Sequence, residues 1–227
     1  AMVNLLREGE EHDGDFAEIQ NLAIGRKNEP GSVFKTVTLT SLLNDGFISS
    51  LEETLPATDG RVPGTSIRDS HIPDFAREHD TDRISVIDGF KISSNYVFAR
   101  LAVDNYANNS RGDLTGRFLS NLYTYKLGEA FDFDLDGMLT PTIPSPETRY
   151  WTDTDLGSIA YGYSTSMTPI HILTFYNAIA NKGRMMKPYL VEDIESGGRT
   201  IRRRGPSTLN AAICSRAVAD TVTRALK

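Results

Sequence analysis

A breaker cluster followed at once by an unbroken helical run constrains this chain more than any other feature. Asn28-Glu29-Pro30-Gly31-Ser32 interrupts regular structure, and residues 33–44 then continue without a break, with apolar Val33, Phe34, Val37, Leu42 and Leu43. Glu29-Pro30-Gly31 forms a rigid turn that brings the helix in abruptly, and Gly46 closes it. A helix starting at or near Ser32 places Ser32 and Lys35, three residues apart, on one face within hydrogen-bonding reach. Serine alone is a poor nucleophile and needs a base. A lysine at a helix N-terminus, partly desolvated, feels the positive end of the dipole, which favours its neutral form. Ser-x-x-Lys by itself is common by chance, so the rest of the chain has to decide what the pair means.

Composition narrows the classes. At 227 residues, 39% hydrophobic and 24% charged, the chain is globular and long enough for one large or two small domains. A net charge of -6 argues against a nucleic-acid partner, and Arg202-Arg203-Arg204, followed by Gly205-Pro206, reads as a solvated turn. The lone cysteine, Cys214, excludes an internal disulfide and cysteine-rich zinc frameworks, and its small apolar neighbours suggest a buried thiol. No stretch approaches the ~18 consecutive apolar residues of a membrane span, and the start lacks the blocks of a secretory signal. Ala1-Met2 reads as an expression scar and Arg224-Ala225-Leu226-Lys227 as the inside of a helix, so both ends are expected to be cut from a longer protein.

Local patterns predict a helix-rich chain with little sheet. The first 24 residues read as a hairpin or two short strands, residues 49–82 as a long loop with room for a short hairpin or helical turn, and residues 132–155 as another loop. Helical patterning covers residues 84–90, breaks at 91–95, resumes over 96–102 and returns at 115–125. Thr168-Pro169 starts a helix to about Asn181, with Gly183 as the stop. Residues 187–194 read as a strand, Gly197-Gly198 as a hairpin turn, residues 200–202 as the returning strand, and Ser215 as the cap of a last helix.

Three ordered blocks carry a resemblance. Glu29-Pro30-Gly31-Ser32-Val33-Phe34-Lys35, then Ser93-Ser94-Asn95-Tyr96-Val97, then Gly162-Tyr163-Ser164-Thr165-Ser166-Met167-Thr168-Pro169-Ile170-His171 resemble the Ser-x-x-Lys, Ser-x-Asn and Gly-Tyr-x-x-x-Met-Thr-Pro segments of the penicillin-binding proteins. The third block is similar to monofunctional, class B members of division or elongation. The resemblance runs along the whole chain and implies an α/β (α+β) penicillin-binding-protein or serine β-lactamase-like fold, a helical cluster with an incomplete antiparallel sheet, over residues 1–227. It implies Ser32 as nucleophile, Lys35 as base, Ser93 as proton relay, Asn95 as a contact to substrate amide and to Lys35, and Ser94 and Gly31 as substrate-binding. No cofactor or metal is implied. The implied partners are a D-Ala-D-Ala stem peptide, β-lactam antibiotics and divisome or elongasome proteins, with the domain outside the cytoplasmic membrane on an anchored parent.

One departure stands out: no Lys-Thr-Gly or Lys-Ser-Gly occurs, and Leu114-Thr115-Gly116 lacks the cation. The missing motif would supply a grip on substrate carboxylate and part of the oxyanion hole, so the chain as it stands is expected to be inactive and to expose a sheet edge through which copies can pair in a non-physiological dimer. A serine β-lactamase or β-lactam sensor shares the first two motifs, and a noncatalytic module binding cell-wall peptide or a divisome partner stays open beside them. Asp132-Phe133-Asp134-Leu135-Asp136-Gly137 imitates a calcium loop, but its twelfth position is Ile143, and Pro141 and Pro144 interrupt the exiting helix. His12, His71, His79 and His171 have no metal spacing and read as surface or hydrogen-bonded residues.

Overall fold

The computed structural model describes residues 21–147 and 150–227. A short α1 (Leu22–Gly25) precedes a 3-10 turn (Gly31–Phe34) that runs directly into α2 (Lys35–Asn44). Helix α2 is buried on nearly all sides, from Lys35 to Leu42. Its polar side chains therefore need partners inside the protein. Thr38 donates to the Ala160 carbonyl at 2.7 Å, Thr40 back to Thr36 at 2.7 Å, and the Thr36 hydroxyl meets that of Tyr176 at 2.7 Å. A threonine-rich sequence thus forms a central helix because each of these hydroxyls has a partner.

Around α2 pack α5 (Asn95–Ala102), α6 (Thr115–Thr124), α7 (Asp153–Ala160) and α9 (Arg216–Ala225). Helix α5 continues into a π-helical turn over Val103–Ala107. Helix α8 (Pro169–Ala180) begins at Thr168-Pro169 and packs on α1 and α9, while Ser215 caps α9 by accepting from the Val218 amide. Phe34, Val37, Leu39, Val97, Phe98, Leu122, Ile159, Phe175 and Val222 belong to one continuous apolar core.

Sheet is sparse. β1 (Thr54–Pro56) pairs antiparallel with β2 (Arg83–Ser85), β3 (Met185–Met186) with β6 (Thr208–Asn210), and β4 (Asp193–Ser196) with β5 (Arg199–Arg203). The helix α3 (His71–Glu78) lies between β1 and β2 in the chain, and α4 (Val86–Lys91) follows β2, capped by Ser85.

Most helical expectations hold: the run from Ser32, the break before Asn95, the Thr115 helix and the Thr168-Pro169 start are all present. Others need correction. The expected strands at the N-terminus lie mostly outside the described residues, but their last part, from Leu22, is a helical turn capped by the Asn21 side chain. Residues 84–90 open in β2 rather than in a helix. The supposed loop before Asp155 ends in α7, which starts early because Thr152 and Asp155 form a reciprocal capping box. Residues 187–192 are not a strand: the Leu190 and Val191 amides donate to the Asp134 carboxylate at 2.6 and 2.8 Å instead of to a neighbouring strand. The arginine run is not a turn either, since Arg202 and Arg203 belong to β5 and Arg204 pairs with Asp134.

Candidate active site

The breaker turn is held by contacts that sequence spacing alone does not display. The Gly31 amide donates to the Gly162 carbonyl at 2.9 Å, the Asn28 and Met167 backbones exchange hydrogen bonds at 3.1 Å, and Glu29 accepts from the Ser164 amide at 2.8 Å. Gly31 sits at φ 61° and Gly162 at φ 91°. A Cβ on Gly162 would lie 2.0 Å from the Gly31 carbonyl oxygen, so only glycine lets the two backbones approach this closely. Met167, Thr168 and Pro169, with Pro30, Val33 and Tyr176, also line an apolar cavity of about 520 Å³ beside the turn. The Tyr176 hydroxyl donates to the Val33 carbonyl at 2.9 Å, tying α8 to the residue after Ser32.

The turn presents the Ser32 hydroxyl while burying Lys35, which is 1% exposed. Lys35 Nζ reaches Ser32 Oγ at 2.9 Å, Ser93 Oγ at 2.9 Å and the Ser93 carbonyl at 2.5 Å. Ser93 Oγ donates to Ser32 Oγ at 2.9 Å, closing a triangle of two hydroxyls and an amine. All three ammonium hydrogens thereby have acceptors, and on losing one the amine turns its lone pair toward Ser32. Burial lowers the Lys35 pKa to about 8, against the opposing pull of the Asp69 charge. Desolvation of the cation, expected from its partly buried position, is thus the dominant cause.

Ser93 reaches this triangle from a strained position, with φ 56° at a non-glycine residue between α4 and α5. Its two successors behave differently from expectation. Ser94, expected to touch substrate, is 1% exposed; its hydroxyl donates to Asp69 at 2.8 Å and accepts from the Val97 amide at 3.2 Å as the cap of α5. The Asn95 residue is exposed enough to meet a ligand but makes no hydrogen bond to Lys35, whose three donors are already taken by Ser32 and Ser93. Gly31 likewise spends its amide on Gly162, which makes it a structural residue of the turn.

Asp69 was not legible as a site residue. It lies in the Pro- and Gly-rich stretch read as loop, and its nearness to the serine-rich helix break exists in space, with no spacing in sequence to signal it. Its Oδ2 accepts from Ser94 Oγ at 2.8 Å and from the Asn95 and Tyr96 amides at 2.9 and 3.3 Å. Burial pushes its carboxyl up, but hydrogen bonds from the Ser94 hydroxyl, the His71 and Tyr96 amides and the His71 ring together outweigh that and hold it below the usual range. The histidine His171 is spent locally: it is buried between Thr168 Oγ1 at 2.6 Å and the Glu129 carbonyl at 3.1 Å, and burial keeps its pKa low. In the calcium-like loop, Asp132 pairs with Lys187 and Asp134 with Arg204.

A hydroxyl, a desolvated amine and a second hydroxyl in mutual contact form a centre suited to acyl transfer through serine. The family model described as the penicillin binding protein transpeptidase domain matches residues 2–227. Penicillin-binding protein A from M. tuberculosis, in an imipenem acyl-enzyme complex, superposes with a TM-score of 0.74 at 22% identity, over 94% of this chain and 46% of that one. Penicillin binding protein 3 from the same organism, complexed with aztreonam, gives 0.72 at 21% identity, over 94% and 44%. A peptidoglycan glycosyltransferase from Burkholderia ambifaria gives 0.69 at 18% identity, over 92% and 58%. At such identities the likeness is one of fold, and the chain spans less than half the length of the two mycobacterial structures. No curated protein matches the chain.

Proposed function

Because the chain belongs to the penicillin-binding protein transpeptidase family, we propose that it carries the acylation centre of a peptidoglycan D,D-transpeptidase. The observation that carries this reading is the triangle of Ser32 Oγ, Lys35 Nζ and Ser93 Oγ, with every side 2.9 Å. Neutral Lys35 takes the Ser32 proton as the oxygen attacks the carbonyl of the D-Ala-D-Ala bond, and Ser93 passes a proton to the leaving amine. The ester that forms on Ser32 is then taken by an amine of a second stem peptide, which cross-links the two and frees the serine. A β-lactam opened by the same attack keeps its leaving nitrogen tethered and leaves a stalled ester. The Asn95 side chain, not engaged by Lys35, faces substrate in this reading. The chemistry calls for no metal or organic cofactor.

We read residues 1–227 as part of one such domain, of the class B type that serves division or elongation. The stretch with that character, Gly162 to His171, is what braces the Ser32 turn. No helix among the described residues is long and apolar enough to cross a membrane, and we place the domain on the outer side of the cytoplasmic membrane, on an anchored parent. Since Lys-Thr-Gly is absent from the 227 residues, the grip on substrate carboxylate is incomplete and acylation by this chain alone is slow.

Fluorescent penicillin followed by intact-mass measurement tests the reading, with any longer product of the gene assayed beside the 227-residue chain. One persistent adduct, mapped to Ser32 and lost in Ser32→Ala, is the expected result. Rapid turnover of the drug would instead indicate a β-lactamase. No adduct on either chain would favour a noncatalytic cell-wall-binding module.

A further inference from the structure

We propose that Asp69 is a positioning residue of the acylation centre, holding Ser93 and Lys35 in register with Ser32 without touching substrate itself. The inference rests on the transpeptidase reading for its chemistry but on independent contacts for its geometry. A left-handed backbone at a serine is unfavourable and persists only when its surroundings hold it. Ser93 is held from its C-terminal side: the next three residues, Ser94, Asn95 and Tyr96, each direct one donor at Asp69 Oδ2, at 2.8, 2.9 and 3.3 Å. One buried carboxylate oxygen therefore collects free donors of the first turn of α5, which fixes where the chain must turn at Ser93. From there Ser93 offers Lys35 both its hydroxyl, at 2.9 Å, and its carbonyl, at 2.5 Å.

Asp69 is itself anchored. Its amide donates to the Gly60 carbonyl at 2.9 Å, and a Cβ on Gly60 would fall 2.0 Å from the Asp69 carbonyl oxygen. Its other carboxylate oxygen accepts from the His71 amide and contacts His71 Nδ1, both at 3.0 Å. The carboxylate is thus saturated and 6% exposed as a residue, which leaves it no capacity to act as base or acid toward a ligand. Among charged groups of the described residues, Asp69 is the one acting on Lys35, and the His71 ring is the titratable group facing Asp69. The carboxylate's remaining influence on the chemistry is its field, which favours the ammonium form of Lys35.

Two measurements on the full chain decide the matter. In carbon-labelled lysine NMR, Asp69→Asn is expected to lower the Lys35 titration midpoint by about half a unit or more, the size expected of one partly screened charge. It is also expected to slow penicillin acylation of Ser32 about tenfold or more at the pH optimum. A purely structural role would lower acylation or stability and leave the Lys35 midpoint in place. Ser94→Ala, which keeps the charge and removes one donor, is expected to leave the midpoint unchanged and still slow acylation severalfold. A midpoint unmoved in Asp69→Asn, with acylation within about twofold of the parent, overturns the proposal; should Asp69→Asn not fold, acylation within about twofold in Ser94→Ala overturns it. If neither the unsubstituted chain nor a longer product of the gene takes label on Ser32, the transpeptidase reading fails by itself, and the Lys35 titration still judges Asp69.

Discussion

At the scale of the residue, the site turns on how cheaply Lys35 gives up its proton. Burial sets its pKa at about 8, with Asp69 pulling the other way. The neutral fraction then climbs about tenfold between pH 7 and pH 9, and acylation of Ser32 by a β-lactam is expected to rise by that factor with a midpoint near pH 8, as stopped-flow labelling across pH measures. The same displacement bears on stability. In the unfolded chain the lysine titrates at about 10.5, so between about pH 8 and 10.5 the unfolded state holds more protons. The destabilising contribution of Lys35 is therefore full below about pH 8 and is relieved as pH rises through that window. Tyr176 acts at the same scale through Val33. Tyr176→Phe removes the hydrogen bond to the Val33 carbonyl and leaves the buried Thr36 hydroxyl without its partner, and thermal melts and labelling rates are expected to show a loss of about 1–3 kcal/mol and severalfold slower acylation, with the pH midpoint unchanged.

At the scale of the element, the Ser32 turn is made by two segments about 130 residues apart in sequence. Gly31 and Gly162 approach backbone to backbone, and the latter has no room for a side chain. Gly162→Ala combines a positive φ with a clash against backbone, so it is expected to cost about 2 kcal/mol or more in denaturant unfolding and to reduce labelling well beyond that loss of folded protein. Gly46, also at positive φ but with nothing within 4 Å of a Cβ, is the control: alanine there costs only about 1 kcal/mol. The helices that carry the site were readable for a related reason. Thr168-Pro169, Ser215 and the Ser94-Asn95 break are local stop and start signals whose physics lies within one turn of chain. The β1–β2 pair was not, because three-residue strands 29 positions apart carry no local period.

At the scale of the molecule, α2 is the axis on which the rest is mounted, and its far end is secured by a buried acid. Asp45, just past α2, accepts from Tyr106 at 2.8 Å and Asn121 at 2.7 Å and pairs with Arg117 at 2.8 Å, so it joins α2, the π turn and α6. Asp45→Ala leaves the buried Tyr106 hydroxyl without its acceptor, and calorimetry is expected to show a loss of about 2–4 kcal/mol, with Lys35 still titrating near pH 8. By itself the sequence determined that Ser32 and Lys35 share a helical face and that a second serine stands at a helix break, because these depend on short spacings and local caps, and its three ordered blocks carried the resemblance to the penicillin-binding proteins. Only the tertiary structure decided that Ser94 faces inward, that Gly31 serves the turn, that Asp69 underlies the Ser93 corner and that Asp134 anchors Arg204. Those outcomes depend on which distant backbone donors and charges meet a side chain once water has been excluded, and no periodicity along the chain encodes that meeting.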